Sequence, residues 1–231
     1  MHHPETHLKS SDLLTDIVIG MSDGLTVPFA LAAGLSGAVD NNTIITIAGI
    51  AEIAAGSIAM GLGGYLAGKT EQDHYNSELK TEYEEIETKT EVEKEEVRQF
   101  FREWGFSKNL QDQAVEEICK DKHLWVEFMM KHELGLDKPD PKRARKSAFN
   151  IGVSYIVGGL VPLSPYFFIH DSVGALKVSV GITLVCLFIF GYFKSKLTGI
   201  NAWVGGLKVM LIGAAAAGAA FGIAKLIEGG H

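Results

Sequence analysis

Apolar residues fall in five blocks, roughly 16–39, 44–68, 148–169, 172–193 and 202–227. A bilayer core about 30 Å thick takes about 20 mostly apolar helical residues, so each block predicts one transmembrane helix. The blocks are rich in Gly and Ala. Ala51, Ala55, Ala59 and Gly63, and again Gly218 and Gly222, recur at one-turn spacing and let helix backbones approach; such spacing most often means ordinary helix packing. The first block does not read as a removable signal peptide. It is too long, follows an acidic start, and lacks a basic leader and a small-residue cleavage site.

The pattern changes between the second and third blocks, where residues 71–137 read as polar helix with few breakers. Thr90 followed by Glu93 fits a capping box and predicts a new helix from near 91. Val92, Val97, Phe100, Phe101 and Trp104 give it an apolar face, and Gly105 is placed to stop it. Ser107 is placed to cap a second helix with Leu110, Ala114, Val115 and Ile118 inward. Asp121 opens a third carrying Leu124, Trp125, Phe128 and Met129, which ends at Gly135 and the Pro139/Pro141 pair.

Charge follows the same division. Over all 231 residues the net charge is −7 and the mean hydropathy +0.15, values that suit an ordinary acidic globular protein. Yet residues 71–147 hold 34 of the 49 acidic and basic residues, and the rest of the chain holds 24 of the 26 glycines. That split excludes a single soluble domain, and the long apolar runs exclude a disordered chain. The pI of about 5.6 argues against a nucleic-acid partner. Cys119 and Cys186 lie in different segments without CxxC spacing, so they indicate neither a disulfide framework nor a thiolate metal site.

Lys and Arg set the expected orientation. Lys9, Lys69, the insert cations, Lys194 and Lys196 share one side of a five-span layout; Lys177, Lys208 and Lys225 lie near or within spans. The run Lys142-Arg143-Ala144-Arg145-Lys146 directly precedes the third span. The N-terminus and the insert are therefore expected in the cytosol and the C-terminus in the opposite compartment, with the Asp40-Asn41-Asn42 and His170-Asp171 turns on that far side. The expected fold is an all-α membrane protein of five transmembrane helices with a helical cytosolic domain inserted between the second and third. Its parts are 1–69 (an N-terminal segment and two spans), 70–147 (the insert) and 148–231 (three spans). An odd number of spans excludes a simple two-half inverted repeat within one chain, so an oligomer is expected, in which two chains enclose one pathway.

Two groups of residues carry candidate chemistry. Eight glutamates lie between 82 and 96. At 100° per residue Glu82, Glu85, Glu93 and Glu96 share a stripe about 80° wide if the helix is continuous, with Glu84, Glu87, Glu91 and Glu95 opposite. Carboxylates one turn apart can share a divalent cation, although acidic runs are usually solvated helix faces. Met129-Met130 and His132-Glu133 nearby add softer donors that favour transition metals over Mg²⁺ or Ca²⁺; a methionine alone is more often core packing. Inside the spans, an unpaired carboxylate costs about 2.5–3.5 kcal/mol on insertion scales. The first span carries Asp16 and Asp23, and Pro28, which lacks an N–H, frees the Gly24 carbonyl beside Asp23. Glu52 sits halfway along the second span, with Met60 two turns on. Asp23, Glu52 and Met60 would line a narrow acidic path for a transition metal. Asp16 is also readable as an ordinary helix-start acid, and His170 and Asp171 as polar loop residues.

The segments Met21-Ser22-Asp23-Gly24-Leu25-Thr26-Val27-Pro28-Phe29-Ala30 and Ala51-Glu52-Ile53-Ala54-Ala55-Gly56-Ser57-Ile58-Ala59-Met60-Gly61, with Arg143-Ala144 leading into the third span, resemble the vacuolar iron transporter family. The resemblance covers essentially the whole chain, insert included, and is closest to the plant-type members. It implies a homodimer of five helices per subunit in the vacuolar membrane, exchanging cytosolic Fe²⁺ for vacuolar protons without a prosthetic group. It makes Asp23, Glu52 and Met60 the translocation residues. Glu82, Glu85, Glu93, Glu96, Met129, Met130 and Glu133 become a cytosolic metal-binding site open also to Zn²⁺, Mn²⁺ or Co²⁺. Three other functions compete: export of Mn²⁺ or of divalent metals broadly, a membrane-anchored metal sensor, and a membrane-anchored di-iron carboxylate oxidase. The oxidase needs two ExxH motifs, whereas the insert has one, Glu71 to His74; carboxylates inside the spans count against a mere anchor.

Overall fold

The computed structural model describes residues 12–228; Lys9, counted above among the cytosolic cations, lies outside them. The described residues form eight α-helices and no strand: α1 Asp12–Ala38, α2 Asn42–Thr88, α3 Thr90–Glu103, α4 Lys108–Cys119, α5 Lys122–His132, α6 Arg143–Phe168, α7 Ser172–Leu197 and α8 Ala202–Glu228. Five of them, α1, α2, α6, α7 and α8, are long and apolar enough to cross a membrane. The chain divides into two compact units, one of residues up to Leu66 and from Ala144 onward, the other Ala67–Arg143.

In the larger unit, glycines set how close the helices come. α6 lies against α1 where Gly20 and Gly24 face the Ile151 and Tyr155 carbonyls, and where Gly158 faces the Leu25 nitrogen. It lies against α2 where Gly61 faces the Ala148 carbonyl and Gly64 the Ser147 side chain. Asp16 does more than open its helix. It is 1% exposed and accepts hydrogen bonds from Ser147 Oγ (2.9 Å) and Asn150 Nδ2 (3.2 Å), tying the start of α1 to the start of α6. At the other end, Asn42 Nδ2 donates to the Ile169 carbonyl and Ser172 Oγ to Asp40, so the α1–α2 and α6–α7 turns meet, as a five-span layout requires. Proline leaves carbonyls unpaired within helices; the Val161 carbonyl, which loses the N–H of Pro165, accepts from Ser164 Oγ at 2.8 Å.

The smaller unit contains the second half of α2 with α3, α4 and α5. They close on a core of Ile86, Val97, Val115, Trp125, Val126, Met129 and Met130. α2 does not end with its apolar stretch but runs on to Thr88, and the break falls at Lys89, between two threonines that bond backwards. Thr88 Oγ1 donates to the Glu84 carbonyl (2.8 Å) and Thr90 Oγ1 to the Ile86 carbonyl (2.7 Å), a habit that bends helices. Because the Thr90 hydroxyl is spent this way, the expected capping box does not form, although α3 starts where it predicted. Gly105 ends α3 at φ +82°, with its N–H on the Arg102 carbonyl and that of Phe106 on Phe101, a Schellman closure. Asp121 caps α5 through the His123 and Leu124 N–H groups. Ser107 sits at the N-cap of α4 without a side-chain cap bond. Leu110 is exposed, and Gln111 is buried beside Val115 with its amide donating to the Phe106 carbonyl.

Candidate functional site

In the smaller unit the glutamates sort by compensation. Glu84 pairs with Lys80, Glu87 with Lys122, Glu91 with Lys94, and Glu95 with Arg98 and Arg102, so the opposite face is neutralised residue by residue. Of the candidate set only Glu85 has a cation, Lys89 at 2.6 Å. Among the described residues Glu82, Glu93, Glu96 and Glu133 have none. Glu82 and Glu93 are 4% and 3% exposed, and Glu82 Oε2 is buried with no hydrogen-bond partner.

These carboxylates lie near one another although the helix that was to align them is broken at Lys89. Burial first, then the charges of Glu133, Glu85, Glu96 and Glu78, push the Glu82 carboxyl up to about 7. Burial, then Glu96, Glu82, Glu85 and Glu133, do the same to Glu93. Glu133 is raised by desolvation and by Glu96 and Glu85. The two methionines part company. Both are 1% exposed core residues, but Met129 borders a cleft of about 390 Å³ with Glu96, Glu103, His132 and Glu133, whereas Met130 borders another with Tyr75 and Tyr83. Among the described residues no three His, Cys, Asp or Glu side chains close into a ready cage; the acids approach without converging, as mutually repelling charges do.

In the larger unit Glu52 Oε1 accepts a hydrogen bond from the Tyr155 hydroxyl at 2.5 Å, and its Oε2 is buried without a partner among the described residues. Asp23 is half-buried on α1, within electrostatic reach of the same hydroxyl. Met60 is half-buried on α2. Its neighbour Gly61 packs on Ala148, two turns from Tyr155 along α6. Asp23 and Glu52 thus gather around Tyr155, with Met60 displaced toward the start of α6. Glu52 also lines a groove of about 490 Å³ whose other walls include Thr26, Ala30 and Gly34 of α1 and Ala216 and Ala220 of α8. Sequence reasoning missed Tyr155, whose partner lies 103 positions away; the only local hint is Gly56, one turn after Glu52, which leaves room for the tyrosine ring.

Known proteins share this chain along nearly its whole length. The model of the VIT family matches residues 14–225. Vacuolar iron transporter 1 of Oryza sativa subsp. japonica is 48% identical over 227 residues, covering 98% of this chain and 90% of that protein. Vacuolar iron transporter 1 of Arabidopsis thaliana is 49% identical, covering 98% and 91%. Protein CCC1 of Saccharomyces cerevisiae is 40% identical, covering 93% and 69%. With five candidate spans, carboxylates held inside two of them and matches of this extent, the chain belongs to the VIT family, whose members are transporters and not enzymes.

Proposed function

We propose that the protein moves Fe²⁺ from the cytosol across the vacuolar membrane in exchange for protons, as a homodimer with residues 70–147 on the cytosolic side and the C-terminus in the lumen. The observation that carries this reading is the sorting of the glutamates. One face of the acidic run is neutralised by Lys and Arg, and the other holds buried acids with no counter-charge. A buried carboxylate without a cation is costly, so these acids suit a cationic substrate that comes and goes.

Glu82, Glu85, Glu93, Glu96 and Glu133 supply hard oxygen donors for capture, and Met129, at the cleft beside Glu96 and Glu133, supplies a thioether that favours transition metals over Ca²⁺. Met130 packs the core behind them. The same donors accept Zn²⁺, Mn²⁺ or Co²⁺. From there the ion passes to Met60, Asp23 and Glu52. The shallow groove beside Glu52, walled by small residues of α1 and α8, gives a second copy a surface to complete the path. Coupling follows if a pathway carboxylate holds either the ion or a proton: in an acidic lumen protonation releases the metal, and at cytosolic pH the next ion binds. In proteoliposomes an acid-inside pH gradient should drive Fe²⁺ accumulation, and collapsing the gradient should stop it. Uptake indifferent to the gradient would leave a metal channel rather than an exchanger.

A further inference from the structure

We infer that Tyr155 is a positioning residue that restricts Glu52 to binding the cation through one oxygen, and thereby disfavours Ca²⁺. The inference rests on the reading of Glu52 as a pathway residue. A glutamate side chain is flexible and its carboxylate can offer one oxygen or two. Here Oε1 is held by the Tyr155 hydroxyl and Oε2 is left buried without a partner.

The hydroxyl has little freedom to leave. Tyr155 is 2% exposed on α6. Its backbone is pressed by α1 at Gly24, where an added Cβ would lie 2.9 Å from the Tyr155 Cα. Its ring sits against α2 at Gly56, where an added Cβ would lie 2.7 Å from ring carbon Cε1. Two neighbouring helices therefore fix the donor, which engages Oε1 and makes it the poorer ligand, leaving Oε2 as the oxygen without a partner. Ca²⁺ takes six to eight oxygens and readily uses both oxygens of a carboxylate, whereas smaller divalent ions demand fewer, stricter positions. A carboxylate limited to Oε2 suits the smaller ion.

The test is uptake of Fe²⁺ by full-length protein in proteoliposomes, with and without Ca²⁺ as competitor. Tyr155→Phe keeps the ring and removes the donor. It should raise the apparent KM about tenfold, the scale of losing a hydrogen bond to a charged group, while the maximal rate stays within about twofold. Ca²⁺ should then inhibit at concentrations that leave the native protein unaffected. Gly56→Ala, whose methyl displaces the ring from the α2 side, should give the same two changes. If Tyr155→Phe has native KM and native indifference to Ca²⁺, the inference is overturned. It is overturned equally if thermal stability and maximal rate fall while KM and Ca²⁺ response do not move, because the tyrosine is then structural. A Glu52→Gln arm separates the failures. Native transport by Glu52→Gln removes the pathway reading and this inference together. A transport-dead Glu52→Gln beside a native-like Tyr155→Phe removes only the role of Tyr155.

Discussion

Glu82 keeps one buried oxygen without a partner, at a cost of about 1–3 kcal/mol for such a group. Its carboxyl and that of Glu93 are raised to about 7, so the folded protein holds protons that the unfolded chain has already released above the ordinary glutamate range. Their contribution to stability is complete below about 4.5 and is lost as pH rises through about 7. The metal-free protein should therefore melt at a lower temperature at pH 8 than at pH 5.5, and Mn²⁺ should restore the difference at pH 8 by replacing the lost protons. Glu82→Gln should flatten the pH dependence and weaken Mn²⁺ binding together; a thermal-shift series over pH with and without Mn²⁺ reads both. At this scale the sequence was legible where identity carries chemistry. The spacing of Glu82, Glu85, Glu93 and Glu96 picked out the glutamates that are mostly without cations, because residues a turn apart share a face. The break at Lys89 was foreseen only through a capping box that does not form, and the Tyr155–Glu52 bond, between side chains 103 positions apart, leaves no local pattern.

Among the elements, the spans were readable because apolar length is a property of the chain itself, and all five blocks are candidate membrane helices. Their ends were less so. α2 continues without interruption from an apolar stretch into a polar one, since no proline falls between Gly64 and Thr88 and the lone Gly68 does not break the helix. In α4 the expected inward Leu110 gives way to Gln111, which earns burial through its bond to the Phe106 carbonyl. Close approach of α1 and α6 depends on glycine. At Gly24 an added methyl would meet the Tyr155 backbone, which cannot swing aside as a side chain can. Gly24→Ala should destabilise the larger unit by about 1–3 kcal/mol, the usual cost of overpacking, visible as earlier thermal aggregation in detergent. An unchanged melting curve would mean that α1 and α6 are less tightly apposed.

For the whole molecule, the proposed division of labour between the two units makes a kinetic prediction. Carboxylates on the approach concentrate incoming cations, so replacing Glu82, Glu85, Glu93 and Glu96 together with Gln should raise the apparent KM for Fe²⁺ while flux survives at high metal. Complete loss at saturating Fe²⁺ would make the smaller unit a gate rather than a collector. The proposed orientation and oligomeric assembly rest on charge bias and on the open groove beside Glu52. We assign the proposed exchange of metal for protons to a carboxylate within the spans, Asp23. Its direct test is Fe²⁺ accumulation driven by an acid-inside gradient in vesicles containing Asp23→Asn protein, with metal binding by the smaller unit measured in parallel. Accumulation should be abolished while metal binding stays native; gradient-driven accumulation at the native rate overturns the assignment to Asp23.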